Sequence, residues 1–478
     1  MAFKAVKVRD ISDETPEVIA SGIVAEESRD HYDLSTALGV VREMETSAGR
    51  AAVFEEIKNK NAIYKLVDSI YQSSGHSFFQ PLFLFIYMVK CVVSLGPFKG
   101  ETAQAVSIAN FPNEHKTVAR IVALIPDIAL MQVSVGRKHI LAAEQIKAAF
   151  RMLGSFARVW SFLRVLVREH SFMPAARITS ALAYYMRFSH MFEHSPALKA
   201  AIIASNYSPE AVGMAAAAHR HGRKVIYSPH APVPANGPVV PPVYADCALF
   251  YGEETRKTYE QRSACTAQVA YIGEPGTARP MEWRDHASTI GIFLTSGTKV
   301  DVLKSLIATI RVDLPDARII IRQHPVQLLS TDFSDLELDD PKTELTLGNP
   351  LDDEIAACDL VICGNSGVAM NVLSGGRPVA YLSSLDGILF DSNGFVGSRL
   401  VFNMPWWSED LYDRLKGFYE APGWRSVMQT YDASYSADAN ELVSAAREAI
   451  LHQLTPLPGK RTQRPQIRDD RAPKLRQA

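Results

Sequence analysis

The feature that most constrains the fold is an alternation of short apolar runs with helix-like segments, and it occurs twice along the chain. Residues 200–204 read AAIIA, 247–251 read CALFY and 268–273 read QVAYIG. The pattern restarts with IGIFLTS at 290–296 and ARIIIRQHP at 317–325. Strands that alternate with helices predict right-handed crossovers and parallel sheets. We therefore expect an α/β protein with two Rossmann-like, doubly wound lobes and a cleft between them.

The chain has 478 residues, more than one hydrophobic core ordinarily supports. We predict a helical N-terminal extension over residues 1–100, an N-terminal acceptor lobe over 101–280, a C-terminal nucleotide-binding lobe over 287–453, and a basic tail over 454–478. The tail holds four prolines and seven Lys or Arg residues, so it offers little apolar surface to bury and is predicted to be disordered.

Composition excludes several classes of protein. The formal net charge is −2, which gives no electrostatic case for nucleic-acid binding. The five cysteines form no CxxC pair, so neither a disulfide framework nor a zinc site is indicated and a reducing compartment fits better. The first thirty residues lack a signal-peptide pattern. We expect a cytoplasmic protein.

One apolar segment raises the question of a membrane. Residues 78–96 read FFQPLFLFIYMVKCVVSLG, and Gln80, Pro81 and Lys90 interrupt the run. These interruptions favour a buried helix over a transmembrane one. A helix that lies on the membrane surface is the remaining alternative for this segment. The basic tail could also contact an anionic membrane surface or a polyanionic product.

Two loops of the C-terminal lobe combine polar side chains with a position at a strand end. Arg322, His324 and Pro325 follow a strongly apolar run, where an Arg and a His can both meet a phosphate. The alternative is a loop histidine satisfied by a neighbouring carboxylate. A second loop, at the end of the first strand of this lobe, offers hydroxyls for phosphate contact or for helix capping: Thr295, Ser296, Gly297 and Thr298.

A short turn of small residues is the third candidate for phosphate binding. It joins the strand LVIC to a helix and consists of Gly364, Asn365, Ser366 and Gly367. Small residues let the backbone approach a ligand, and the hydroxyl and amide groups can bond a phosphate. A plain capped turn is the alternative, because neither a Walker A nor a GxGxxG pattern is present.

In the N-terminal lobe, His230 follows the strand that contains residues 225–227 and is a candidate general base on an acceptor hydroxyl. A structural histidine is the alternative. The acidic triplet at 352–354 suits the start of a helix, so we predict no metal site.

These motifs resemble GT-B glycosyltransferases of bacterial surface and capsular polysaccharide synthesis over roughly residues 200–385. The resemblance is to the group with a His-Pro motif: CDP-glycerol glycerophosphotransferases, Kdo transferases, and bacterial sialyl- and polysialyltransferases. It implies that His324, Pro325 and Ser366, with Asn365, hold the phosphate and ribose of a cytidine nucleotide. Ala231 stands where that group usually has Gly.

The resemblance implies a metal-independent transferase. It would move a sugar or polyol phosphate from a CMP- or CDP-linked donor to the hydroxyl of a glycan or glycoconjugate, with no further cofactor. His230 would deprotonate the acceptor, while His324, Arg322 and Ser366 stabilise the leaving phosphate. A nucleotide-sugar 2-epimerase of the same fold is an alternative, but no pair of acidic catalysts is evident in the N-terminal lobe. A non-catalytic subunit that binds sugar nucleotides or scaffolds partners is another.

Overall fold

A computed structural model describes most of the chain. The described residues are 32–47, 50–51, 54–55, 58–59, 61–76, 78–96, 98, 102–136, 143–231, 235–236, 240–262, 267–274, 278–295, 297–324, 333, 336, 340–346, 348–386, 391–435 and 438–455. The first thirty residues and the tail from residue 456 onward lie outside them.

The helices are α1 (Leu34–Thr46), α2 (Ala62–Ser73), α3 (Phe79–Ser94), α4 (Pro112–Leu124), α5 (Ala143–Leu153), α6 (Phe156–Glu169), α7 (Phe172–His194), α8 (Pro209–Arg220), α9 (Glu253–Arg262), α10 (Val300–Asp313), α11 (Leu351–Ala357), α12 (Val368–Ser374), α13 (Leu411–Tyr419), α14 (Trp424–Tyr431) and α15 (Ala439–Leu454). The strands are β1 (Ala105–Ile108), β2 (Leu130–Val133), β3 (Ala200–Ile203), β4 (Lys224–Tyr227), β5 (Cys247–Phe250), β6 (Gln268–Tyr271), β7 (Thr289–Phe293), β8 (Arg318–Arg322), β9 (Thr343–Thr346), β10 (Leu360–Cys363), β11 (Val379–Tyr381) and β12 (Phe402–Asn403).

The strands form two six-stranded sheets, in the orders β2-β1-β3-β4-β5-β6 and β12-β11-β10-β7-β8-β9. Every pair of neighbouring strands is parallel. The strand order reverses between β1 and β3 in the first sheet and between β7 and β10 in the second, and a crevice opens at such a point. The predicted fold class, two doubly wound lobes of the GT-B type, is confirmed.

The central strands are short and buried on both faces, which explains their unbroken apolar sequences. One face of the N-terminal sheet packs into a core shared with α1, α3 and α6–α8. The other face packs against α4 and α15. A separate core surrounds the C-terminal sheet.

Both ends of the described chain belong to the N-terminal lobe. Leu34, Leu38 and Leu84 are fully buried in the same core as the sheet, so α1 and α3 are part of this lobe rather than an extension from it. The last helix, α15, packs against β4–β6 through Ala446 and Ile450. The predicted C-terminal lobe extends to residue 453, but α15 packs on the N-terminal sheet instead. An amphipathic pattern shows that a helix has a buried face but not which sheet covers it.

No helix in the described part of the chain is long and apolar enough to cross a membrane. The interrupted apolar segment forms α3, in which Leu84 and Met88 are fully buried while Phe79 and Ile86 are more than half exposed. The predicted buried helix is therefore buried on one side and exposed on the other.

A buried aspartate connects the two lobes. Asp432, which follows α14, accepts hydrogen bonds from the backbone N–H of Glu274 (3.0 Å) and from the hydroxyl of Ser374 (2.8 Å). Glu274 follows β6 in the first lobe, and Ser374 ends α12 in the second. Arg120 of α4 donates to the carbonyl of Gly273 (2.7 Å) beside them. We call Asp432, Glu274, Ser374 and Arg120 the hinge cluster.

The close packing of α7 on α8 depends on Gly213, where a Cβ would lie 2.9 Å from the carbonyl oxygen of Ala181. We expect Gly213→Ala to lower the free energy of unfolding by about 1–3 kcal/mol, because the backbone of α7 would have to move. Gly39 in α1 is a matched control, since a Cβ there meets no atom within 4 Å. Gly39→Ala should stabilise the protein by about 0.5–1 kcal/mol. Chemical denaturation measures both, and equal effects would contradict the packing interpretation.

The hinge cluster predicts a pH dependence of stability. Burial, and secondarily the charge of Asp432, raise the pKa of Glu274 to about 8, while Arg120 opposes the shift. The pKa of this carboxyl is thus higher in the folded chain than in the unfolded one. Its contribution to stability is complete below about pH 4.5 and is lost as the pH rises towards 8.

Glu274→Gln removes this titration. The melting temperature of the variant relative to the wild type should therefore rise between pH 5 and pH 8, by at least about 2 °C, the shift typical of about 1 kcal/mol in a domain of this size. Thermal unfolding followed by circular dichroism at each pH measures the difference. A difference that stays constant over this range would contradict the prediction.

Candidate functional site

Three of the predicted loops lie side by side at the carboxyl edge of the C-terminal sheet. Phe293, the last residue of β7, is in register with the last residues of β8 and β10. Neighbouring strands are about 4.8 Å apart. The loop at 295–298 therefore lies between the turn at 364–367 and the loop at 322–324, at the point where the strand order reverses.

A fourth loop, after β11, supplies a residue that the sequence analysis missed. The carboxylate of Asp386 is almost fully buried and accepts hydrogen bonds from the backbone N–H of Asn365 (2.7 Å) and from the hydroxyl of Thr295 (3.4 Å). The backbone of Asp386 also pairs with Thr298. Asp386 thus holds two of the predicted phosphate loops together. Asp386 lies five residues after β11, so the sequence places it near a strand end but does not mark its carboxylate as a contact between loops.

The turn at 364–367 has the close geometry that its small residues predict. A Cβ at Gly364 would overlap the carboxylate of Asp386, so no larger residue fits there without a shift. The hydroxyl oxygen of Ser366 accepts a hydrogen bond from Val368 N–H (3.3 Å) at the start of α12. The amide oxygen of Asn365 accepts from the backbone N–H (2.9 Å) and hydroxyl (3.0 Å) of Ser392. Asn365 is therefore oriented by a residue from the loop after β11.

The loop after β8 contains two predicted residues in different situations. Arg322 forms an ion pair with the buried carboxylate of Glu354 and donates to the carbonyl of Asn349 (3.0 Å). Glu354 lies in the first turn of α11, as the helix-start reading of the acidic triplet predicted. His324 is half-buried, and this burial lowers its pKa, which favours the neutral imidazole. Its neighbour Pro325 and the loop residue Ser296 lie outside the described residues.

His230 lies on the opposite lobe, beyond the end of β4. Its Nδ1 is 2.6 Å from the carbonyl oxygen of Ala204, which follows β3. Because a carbonyl only accepts, Nδ1 must carry the proton, and in the neutral ring Nε2 is left as the acceptor. His230 thus has a defined tautomer.

The two carboxyl edges meet through the loops that carry these residues. Asn236, six residues after His230, donates through its backbone N–H to the carbonyl of Ser392 (2.9 Å) and through its side chain to the carbonyl of Asp391 (2.6 Å). Ser392 in turn donates to Asn365. A continuous chain of hydrogen bonds, Asn365–Ser392–Asn236, therefore crosses the cleft from the turn at 364–367 to the loop of His230.

The N-terminal lobe also brings together two glutamates that the sequence analysis did not identify as a pair. The side chain of Asn110, just after β1, donates to Glu210 (2.5 Å), and its backbone N–H donates to Glu114 (2.8 Å). Both carboxylates are almost fully buried where the strand order reverses. Burial is the main cause that raises the pKa of Glu210. Each glutamate lies in the first turn of a helix, so the sequence alone suggested only a capping role.

Among the described residues, His190, Glu193 and His194 form a group whose ligand atoms lie close enough to hold one metal ion. The group is at the C-terminal end of α7, which leads into the amino end of β3 and therefore lies away from the carboxyl edge. Burial, then the charge of His194 and those of Arg151 and Arg187, lower the pKa of His190 to about 4. The same positive charges oppose a divalent cation. The group does not belong to the cleft.

Comparisons with known proteins find similarity in fold only. No protein-family model matches the chain, and no curated protein sequence matches it significantly. Among solved structures, a UDP-GlcNAc 2-epimerase from Neisseria meningitidis bound to UDP-GlcNAc aligns with 73% of this chain and 99% of its own, at 10% identity and a TM-score of 0.44. The glycosyltransferase SnogD from Streptomyces nogalater aligns with 73% of this chain and 100% of its own, at 16% identity and a TM-score of 0.39. Alignments this distant give no basis for transferring an activity.

The role of Asp386 can be tested by its removal. Asp386→Ala takes away a buried charged acceptor of two hydrogen bonds, so we expect a loss of about 1.5–3 kcal/mol in the free energy of unfolding. Asp316→Ala is a control in the same lobe, because it removes an exposed ion pair with Lys342, which contributes little. Urea denaturation monitored by fluorescence compares the two. If Asp386→Ala costs no more than Asp316→Ala, Asp386 does not hold the loops.

Proposed function

We propose that the protein is a metal-independent GT-B-type glycosyltransferase whose C-terminal lobe binds a nucleotide-activated donor and whose N-terminal lobe binds the acceptor. The hydrogen-bond chain Asn365–Ser392–Asn236 is the observation that carries this proposal. It joins the turn expected to hold the donor phosphate to the loop of the expected general base. A donor bound at 364–367 would thus lie across the cleft from His230, which suits group transfer between the lobes.

The tautomer of His230 supports its role as the base. With the proton on Nδ1 held by Ala204, Nε2 is free to accept the proton of an acceptor hydroxyl. The acceptor oxygen then forms a bond to the transferred carbon or phosphorus as the bond from that atom to the leaving phosphate oxygen breaks. The electron pair of the broken bond stays on the leaving phosphate, and the proton stays on His230 until it passes to water.

The C-terminal loops supply donors for the charge that develops on the leaving phosphate. A neutral His324 can donate one N–H, and the hydroxyl of Ser366 can donate while its oxygen caps α12. The loop at 295–298, which ends in Gly297 and Thr298, lies between the loop of His324 and the turn of Ser366. Because Arg322 is already paired with Glu354, its role in this scheme is to fix the loop that carries His324.

The sequence resemblance is the basis for proposing a particular donor nucleotide and acceptor class. His324 and Ser366 match the motifs of enzymes that use cytidine nucleotides, so we propose a CMP- or CDP-linked sugar or polyol as donor. The acceptor would be a hydroxyl of a growing surface glycan or glycoconjugate. Such a protein would act in the cytoplasm, at the inner face of the membrane.

The buried glutamates favour one alternative, a nucleotide-sugar 2-epimerase. That reaction moves a proton on carbon and needs acidic or basic groups beside the sugar. Glu210 and Glu114 lie together in the N-terminal lobe, and the raised pKa of Glu210 suits a proton carrier. Both glutamates already bond Asn110 or backbone N–H groups at helix starts, so a structural role accounts for them equally well.

A nucleotide panel tests the proposal. CMP or CDP at a hundred times its dissociation constant should stabilise the wild type by about 2.7 kcal/mol, which a thermal-shift assay detects. His324→Ala should weaken this binding by at least about tenfold, the value of one hydrogen bond to a charged phosphate. His286→Ala, at an exposed site of the same lobe, should leave it unchanged. His230→Ala should bind the nucleotide normally but lose transfer, and excess EDTA should not affect transfer by the wild type.

The other outcomes separate the alternatives. Stabilisation by UDP alone, with conversion of a UDP-sugar into its epimer that Glu210→Gln abolishes, would replace the transferase by the epimerase. Stabilisation by GDP alone would overturn the cytidine donor. No response to any nucleotide would contradict both enzymes and leave a scaffold subunit.

A further inference from the structure

Exposed apolar side chains concentrate on one part of the N-terminal lobe. Of the thirteen large apolar side chains that are exposed in the described part of the chain, ten lie on α2, α3, α5 and α6 or at the start of α3. They include Leu66, Phe79, Ile86, Phe150 and Phe156, each between 41% and 67% exposed. Single exposed apolar residues are normal on a protein surface, but a cluster marks a binding surface. We call this part of the lobe the aromatic face.

The aromatic face is continuous from one helix to the next. The ring of Phe78 lies 5.4 Å from that of Phe79 and 5.6 Å from that of Trp160, and Trp160 stacks on Phe156 at 5.4 Å. Phe156 also contacts Phe85 at 5.1 Å. These contacts join α3 to α6, while α2 and α5 pack directly against α3.

Basic residues accompany the apolar ones at helical spacing. In α6, Phe156, Trp160 and Arg164 recur every four residues and so lie along one side of the helix, with Arg168 continuing the row. In α5, the row of Ile146 and Phe150 runs beside a row of Lys147 and Arg151. The arginines and lysines named here are exposed. A helix with aromatic residues on one side and Arg or Lys beside them is typical of helices that lie in the interface of an anionic bilayer.

The C-terminal end of α3 lies near the carboxyl edge of the N-terminal sheet. Leu95, directly after α3, pairs with Val135, two residues beyond the end of β2. Gly96 N–H also donates to the carbonyl of Ser134 (3.1 Å) in the same loop. Because β2 ends at the carboxyl edge of its sheet, α3 ends at the edge on which the cleft opens.

We propose that the aromatic face docks the protein on the surface of an anionic lipid bilayer. The apolar side chains enter the interface between headgroups and acyl chains, and the basic side chains contact lipid phosphates. The charge of the face favours a bilayer over a second copy of the chain, because two such faces would bring like charges together. This inference stands on the helices alone and holds whether or not the cleft is a transferase site.

The test uses the full chain and vesicles of phosphatidylcholine with or without phosphatidylglycerol. The wild type should cosediment with the phosphatidylglycerol vesicles, and high salt should weaken the binding. The variant Phe79→Ser/Ile86→Ser/Phe150→Ser should bind these vesicles at least about tenfold more weakly. Val312→Ser/Val443→Ser, which replaces exposed valines away from the face, should bind as the wild type does.

Both variants retain the basic residues after 455, so the difference between them reports on the aromatic face alone. Melting temperatures and far-UV circular dichroism check that each variant is folded. Equal binding by the wild type and the triple variant would overturn the proposal. It would also be overturned if the wild type failed to bind phosphatidylglycerol vesicles, or if it were a dimer that the triple variant converts to a monomer without any binding to vesicles.

Discussion

Parallel strand pairing is the constraint on which the rest of this structure depends. When all six strands of a sheet point the same way, every loop that follows a strand emerges at one edge. His230 and Asn236 follow β4 in one lobe, while the turn at 364–367 follows β10 in the other. Asn236 bonds the carbonyls of Asp391 and Ser392, so the two edges face each other. Residues far apart in the sequence thereby share one cleft.

The strand-end rule explains how much of the site the sequence revealed. Short apolar runs located seven strands, β3–β8 and β10, and residues that follow them, such as Asn365 and Thr298, lie at the carboxyl edge of the sheet. Asp386 escaped notice because its role is a contact across more than twenty residues, with Asn365 on one side and Thr295 on the other. Nothing in the local sequence distinguishes a carboxylate that organises two loops from one that faces solvent.

Packing between distant parts of the chain was the second limit on what the sequence could predict. Periodicity can indicate which side of α1, α3 or α15 is buried, but not which sheet it packs against. For α15 that sheet is formed by strands more than a hundred residues earlier in the chain. The glutamates at 114 and 210 were hidden for a related reason. Acidic residues in a first helical turn have a sufficient local explanation, and only the sheet topology shows that both turns start at neighbouring strand ends.

The connections between the lobes differ in strength, and the difference indicates where the molecule can bend. At the hinge cluster, Asp432 is fully buried and bonds groups of both lobes, so release of Glu274 and Ser374 would leave a buried carboxylate with the bonds from Ser434 alone. Across the cleft, the bonds of Asn236 are exposed, and water can replace them at little cost. The lobes should therefore separate at Asn236 and pivot at Asp432. Because Ser392 bonds both Asn236 and Asn365, a nucleotide bound at the turn at 364–367, as proposed above, would act on the same residue as closure of the cleft.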